Sequence, residues 1–91
     1  MKIYYRAKHI LLLEDDDTEY IKEKLDSGST FEDLAKEFSE CETASAGGDL
    51  GRFPIGTMLP EFERALAHTS VGDITYSIRT KFGFHIILRL E

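Results

Sequence analysis

Ile3 to Leu13 alternates two sets of side chains, Ile3, Tyr5, Ala7, His9 and Leu11 against Tyr4, Arg6, Lys8, Ile10 and Leu12. That is the period of a strand with one wetter face, and His9 falls on the less charged side. Glu14-Asp15-Asp16-Asp17 then predicts an acidic loop. Thr18 is placed to cap a helix whose Ile21 and Leu25 lie four apart before Ser27-Gly28 stops it, so this helix is expected to be half buried. Thr30 opens a second helix, with Asp33 at the reciprocal capping position and Phe31, Leu34, Ala35 and Phe38 forming a core-facing stripe. Ser39 to Ala46 is small and polar, and predicts a loop or one irregular turn that carries Cys41.

Further on, Leu50 to Phe53 predicts a short strand and Pro54 to Thr57 a turn around Gly56. Pro60 suits the first position of a third helix, with Phe62, Ala65 and Leu66 inward and an end near His68-Thr69. After a turn at Val71-Gly72-Asp73, Ile74, Tyr76 and Ile78 alternate as a short strand. In the final strand Phe84, Ile86, Leu88 and Leu90 mark the inward face, which turns His85 the other way. Strand, two helices, irregular turn, strand, helix and two strands make an α+β domain on a mostly antiparallel sheet with three to four helices. Long terminal strands are natural neighbours at its centre, which would set His9 beside His85.

Ninety-one residues support a single domain over 1–91, since at this size folding buries only about 60–65% of the extended chain's surface and one core uses most apolar residues. At 42% hydrophobic residues the composition is that of an ordinary globular domain, and disorder is not expected. The net charge of −6 repels phosphate backbones, so nucleic acid is not an expected partner. The longest apolar run, Ile10 to Leu13, is far short of the ~20 residues of a membrane helix, and no membrane insertion is expected. A lone cysteine forms no internal disulfide, so the fold does not depend on an oxidising compartment. The compartment stays open, cytoplasmic for a complete chain and open to extracytoplasmic sites for a domain of a longer protein.

Between the two histidines runs Gly47-Gly48-Asp49-Leu50-Gly51-Arg52-Phe53-Pro54-Ile55-Gly56-Thr57-Met58-Leu59-Pro60-Glu61-Phe62, alternating glycine, proline and large apolar residues in the manner of a pocket wall. Gly47-Gly48 suits positive φ, Gly51 a close backbone approach and Gly56 a left-handed turn. As a phosphate cradle the stretch fails, because it lacks Walker spacing and a following Lys-Ser/Thr, and Asp49 would repel an anion. Cys41 with His9 and His85 leaves open a thiol nucleophile with its base, or three zinc ligands with His68 or a carboxylate as the fourth, although no zinc spacing is matched. His68 reads most simply as a surface or cap residue.

Five segments in order resemble one family: His9-Ile10-Leu11, the helix from Phe31 to Ser39, Gly47-Gly48-Asp49-Leu50-Gly51-Arg52-Phe53, Gly56-Thr57-Met58 with Phe62 beyond, and Thr80-Lys81-Phe82-Gly83-Phe84-His85-Ile86-Ile87. They are similar, essentially end to end, to the parvulin-type (PpiC, rotamase) peptidyl-prolyl cis-trans isomerases. The resemblance implies a four-stranded antiparallel sheet wrapped by helices. It implies paired histidines at His9 and His85, a Cys-or-Asp position at Cys41 and a hydroxyl of the histidine network at Thr80. It places the proline pocket at Leu50, Met58 and Phe62, an aromatic support at Phe53 and a pocket edge at Phe82. Tyr76-Ser77-Ile78 departs from the Gly-Pro that the family often carries there, which puts only the approach to the last hairpin in doubt.

The expected activity is acceleration of Xaa-Pro isomerisation in flexible or unfolded polypeptides by twisting the amide without a covalent step, hence with no cofactor and no metal, by a monomer. A catalytically silent, peptide-binding chaperone module of a larger protein is the alternative. Four acids at Glu14 to Asp17, where phosphate-directed members resemble one another in presenting basic side chains, further imply an enzyme that is not phosphate-directed.

Overall fold

The structure, a computed structural model, describes residues 3–91; Met1 and Lys2 lie outside the described residues. Four strands, β1 (Tyr4–Leu12), β2 (Asp49–Pro54), β3 (Ile74–Thr80) and β4 (Gly83–Arg89), form one antiparallel sheet in the order β2-β1-β4-β3. Three helices, α1 (Asp15–Asp26), α2 (Phe31–Phe38) and α3 (Pro60–Ala67), and a 3-10 turn over Glu42–Ala46 connect them. The two long terminal strands are the central pair, with His9 opposite Ile87 and Leu11 opposite His85.

Both sheet faces are covered. Ile10, Leu12 and Ile86 pack with Ile21 of α1 and with Phe31, Leu34 and Ala35 of α2. On the other face Tyr5, Ala7 and Ile87 pack with Phe53 of β2 and with Phe62 and Leu66 of α3. The expected single inward row of β4 is therefore only half of its core contribution: Ile86 and Ile87, adjacent in sequence and pointing oppositely, are both completely buried. Central strands with helices on both sides lose the polar alternation that marks a half-solvated strand.

Local chemistry sets the helix ends. Thr30 Oγ1 accepts from the Asp33 N–H at 3.2 Å and caps α2, and Pro60 occupies the first turn of α3, where a missing N–H costs nothing. Helix α1 departs from the expected start. It begins at Asp15 behind an extended Glu14, so the acidic run is its cap and first turn rather than a loop. Three carboxylates there complement the positive end of the helix dipole, and Thr18, expected as the cap, lies buried inside the helix facing the sheet.

Two further expectations change. A bulge between Thr75 and Ile78, with Ser77 at φ 59, breaks the alternation of β3. Ile74 and Tyr76 pack with the α1/α2 core while Ile78 joins the α3 side, and Ser77 donates to Asp15 of α1. The glycine that admits a close backbone is not Gly51, which has open space around it, but Gly48 against the His9 carbonyl, and likewise Gly83 against that of Leu12.

Candidate active site

The site lies on the α3 face, where β1 and β4 each present one imidazole. His9 Nδ1 and His85 Nδ1 are 3.1 Å apart, and the rings stack at 5.3 Å between centroids. Phe62 stands edge-on to both, with centroids at 5.7 and 5.4 Å. The outer nitrogens meet hydroxyls: His9 Nε2 is 3.3 Å from Thr43 Oγ1 and His85 Nε2 is 2.7 Å from Thr80 Oγ1. Thr80 also accepts from the Phe82 N–H at 3.2 Å. All four ring nitrogens are thus engaged within the protein.

Burial disfavours the charged form of both rings. It brings His9 down to about 4, with the nearby His85 acting the same way. His85 is lowered too, by burial, against an opposing pull from the Glu61 carboxylate. Near neutrality the pair is uncharged.

Against the imidazoles opens a cavity of about 260 Å³ lined by His9, Leu11, Cys41, Leu50, Met58, Leu59, Phe62, Phe82 and His85. Beyond two rings and a thiol, its wall is apolar. Leu50 comes from β2, Phe62 from α3, and Phe82 from the β3–β4 turn, where it is 57% exposed at the rim. Met58 sits on a turn that Glu63 of α3 holds, one carboxylate accepting from the Gly56 N–H at 2.8 Å and the Met58 N–H at 2.7 Å. A carboxylate bridging two backbone N–H groups fixes that turn more firmly than its glycine alone.

Of the residues singled out from sequence, His9, Cys41, Leu50, Met58, Phe62, Phe82 and His85 meet at the cavity. Thr80 stands behind His85, and Phe53 does not reach the cavity but packs in the core behind Phe62, beside Tyr5. Sequence reasoning missed Thr43, Leu11, Leu59 and Glu63. Leu11 was legible, since it shares the His9 face of β1, whereas Thr43 and Glu63 acquire roles only through folding.

His68 bonds the Arg64 carbonyl at 2.8 Å on α3 and lines no part of this cavity. Among the described residues no three His, Cys, Asp or Glu side chains are placed to hold a metal ion. No helix of the described residues is long and apolar enough to cross a membrane. The acids Glu14 to Asp17 also do not line the cavity; Glu14 and Asp17 border a depression with Tyr20, Phe38 and Glu37 on the α1/α2 side.

The sequence model of the rotamase family, described as the PPIC-type PPIase domain, matches residues 9–91. The chain belongs to this peptidyl-prolyl isomerase family. It is 45% identical over 83 residues to the foldase protein PrsA of Caldanaerobacter subterraneus subsp. tengcongensis, covering 90% of this chain and 27% of that protein. To the chaperone SurA of Nitrosospira multiformis it is 45% identical over 71 residues, 78% of this chain and 16% of that one. The isomerase domain thus spans less than a third of the length of these relatives.

Among solved structures, PrsA from Bacillus anthracis superposes with a TM-score of 0.93 at 40% identity, over 98% of this chain and 42% of that one. NmPin, the parvulin of Nitrosopumilus maritimus, gives 0.86 at 38% identity over 97% and 96%. The sheet with its three helices is the parvulin fold, and the domain is of the parvulin-type peptidyl-prolyl cis-trans isomerase class.

Proposed function

We propose that this domain accelerates cis-trans isomerisation of Xaa-Pro bonds in flexible or unfolded polypeptides, holding the proline ring against Leu50, Met58 and Phe62. One juxtaposition carries the reading: an apolar cavity abuts a neutral histidine pair that has no ring nitrogen left for a substrate. The uncatalysed barrier of ~18–20 kcal/mol is the resonance of the planar amide. Twisting the bond makes the carbonyl less dipolar, so a partly dry, apolar wall destabilises the planar ground state more than the twisted transition state. Each ~1.4 kcal/mol of that difference is tenfold in rate.

In this mechanism the imidazoles act through shape and dipoles, and no covalent step is needed. Cys41 contributes polarity at the wall rather than a nucleophile, since neither histidine offers it a base. Thr80 holds His85, Phe53 supports Phe62 from behind, and Phe82 closes the rim. Among the described residues no Lys or Arg lines the cavity, which favours a site that is not phosphate-directed; Lys81 lies over the Phe82 ring at the mouth. The acting unit is the single domain 1–91 as a monomer, its clients are proline-containing or unfolded polypeptides, and its negative charge disfavours nucleic acid. The names foldase and chaperone carried by its relatives support a use in protein folding.

The test is a proline-isomerisation assay on short Xaa-Pro peptides, run beside peptide-binding titration. Met58 is half-buried, so Met58→Ala should stay folded and lower kcat/KM about tenfold through lost apolar contact. Cys41→Asp should keep kcat/KM within about tenfold of the parent. Binding without turnover would replace the isomerase by a peptide holder. A folded, fully active Met58→Ala would move the pocket elsewhere, and a dead, folded Cys41→Asp with a peptide adduct trapped on the parent would make the thiol a nucleophile.

A further inference from the structure

The end of β1 and the stretch after α2 each contribute to two hollows. Leu11 and Cys41 line the cavity against the histidines, while their chain neighbours Leu12, Leu13 and Glu40 line a second depression of about 540 Å³ on the α1/α2 side. The two segments are bonded to each other: the Glu40 N–H donates to the Leu11 carbonyl at 2.8 Å, and Ser39 Oγ accepts from the Leu11 N–H at 3.0 Å. The hollows therefore share this doubled stretch of backbone as a common wall. Leu11 and Leu13 are two residues apart, at most about 7 Å of extended chain, so a polypeptide seated in the cavity reaches the second hollow within a few residues.

The second hollow has a different chemistry. Leu13 and Tyr20 are 60% and 46% exposed, and Phe38 stands edge-on to the Tyr20 ring with centroids 5.5 Å apart. Large apolar side chains gathered in a hollow and open to water mark a binding surface rather than scattered surface residues. Around them stand the exposed carboxylates of Glu14, Asp17, Glu37 and Glu40. Among the described residues no Lys or Arg joins this lining, and none of the four carboxylates is in an ion pair. Lys24 rests 5.4 Å from the Tyr20 ring centroid without lining the hollow. An apolar floor inside a ring of unpaired carboxylates complements a side chain with a long aliphatic stem and a cationic head, that of Lys or Arg.

We propose that this depression docks a Lys- or Arg-bearing segment of the same polypeptide whose proline occupies the cavity, with roughly three to five residues between the two. The stem of the basic side chain lies against Tyr20 and Phe38, and its head meets Glu37 and Glu40. Two contacts on one chain make the second effectively intramolecular, so a proline with a basic segment nearby is held longer than a proline alone. The inference rests on the isomerase reading for what fills the cavity, and it has the domain choose clients by residues well away from the bond that turns over.

The experiment uses Leu-Pro peptides in which a Lys-Leu-Lys, Ser-Leu-Ser or Glu-Leu-Glu block stands two, four or six residues before or after the proline. In each protein the readout is the ratio of kcat/KM for the Lys block to that for the Ser block. It should reach about fivefold near four residues on one side of the proline, the worth of two exposed ion pairs, and fall toward one as salt is raised to about 0.5 M. The Glu37→Gln/Glu40→Gln double variant changes two exposed side chains and should bring the ratio close to one at low salt. No advantage for the Lys block at any spacing overturns the proposal, as does a double variant that keeps the advantage. A domain that self-associates at assay concentration, with the dimer dispersed by Glu37→Gln/Glu40→Gln, would give the depression to a second copy instead. Titration of the same peptides with Ala in place of proline reads docking without turnover. A parent domain that turns over no peptide, yet binds Lys blocks several-fold tighter than Ser blocks and loses this in the double variant, would remove the isomerase reading and leave the docking site in place.

Discussion

Gly48→Ala should cost this domain about 4 kcal/mol or more of stability, a large share of the 5–15 kcal/mol typical of a small domain. A Cβ at Gly48 would sit far inside van der Waals contact of the His9 carbonyl oxygen and 3.2 Å from the Ala35 Cβ, at a φ of +82 that non-glycine residues rarely adopt. Relief is blocked from both sides. The His9 N–H bonds the Gly48 carbonyl at 2.9 Å, and Ala35 is completely buried on α2. Gly51 supplies the control: at φ +71 with nothing among the described residues within 4 Å, Gly51→Ala meets only backbone strain, about 1 kcal/mol. Urea unfolding should therefore separate the variants, with the Gly48→Ala midpoint lower by roughly 2 M or the protein already unfolded in buffer. Equal midpoints for the two would show that the approach of β1 to Gly48 is looser than described.

Acid should destabilise the domain well before its carboxylates titrate. His9 falls from 6.5 to about 4 on folding, mainly through burial and then through His85. Between those values the unfolded chain binds the proton that the folded domain refuses, so stability falls as pH drops from 6.5 toward 4 and is fully present above 6.5. The full contribution of His9 is about 3 kcal/mol, of which about 2 is gone by pH 5. His85 is lowered as well and adds in the same direction, less the opposing effect of Glu61.

Glu32 and Asp49 are also lowered, Glu32 chiefly by its hydrogen bond from Lys8 and Asp49 chiefly by that from the Gly51 N–H. Their contributions are lost only as pH falls below the ordinary carboxylate range, so the interval from pH 6.5 to 5 isolates the histidines. Urea midpoints at pH 7.5, 6 and 5 should show the loss, and His9→Asn should flatten it. An NMR titration of the His9 ring with its midpoint above 6 would contradict the burial of the charged form.

The elements themselves were largely legible. Period-two alternation in β1, the Phe31, Leu34, Ala35, Phe38 stripe with Thr30 before it, and Pro60 at the start of α3 are signals carried by neighbours in the chain. Failures cluster where a partner distant in sequence decides. Thr18 resembled a cap because its type suits one, but it is buried within α1, which starts earlier, behind Glu14, with three aspartates in its first turn. Ile78 continued the alternation on paper, while the bulge at Ser77, bonded to Asp15 sixty-two residues earlier, turned it to the other face.

The site divides the same way. Sequence alone determined which side chains are available: two strand histidines, an apolar set at Leu50, Met58 and Phe62, a cysteine in a polar turn, and motifs specific enough to identify the family. Strand order decided that His9 and His85 share a hydrogen bond, because only the β1–β4 pairing makes two residues 76 positions apart adjacent. Tertiary packing likewise assigned Thr43 to His9, Glu63 to the Met58 turn and Gly48 to the His9 carbonyl. Propensity and periodicity report interactions within a few residues of each other, whereas the pocket, its neutral histidines and the partners that orient them exist only once burial has brought distant segments together.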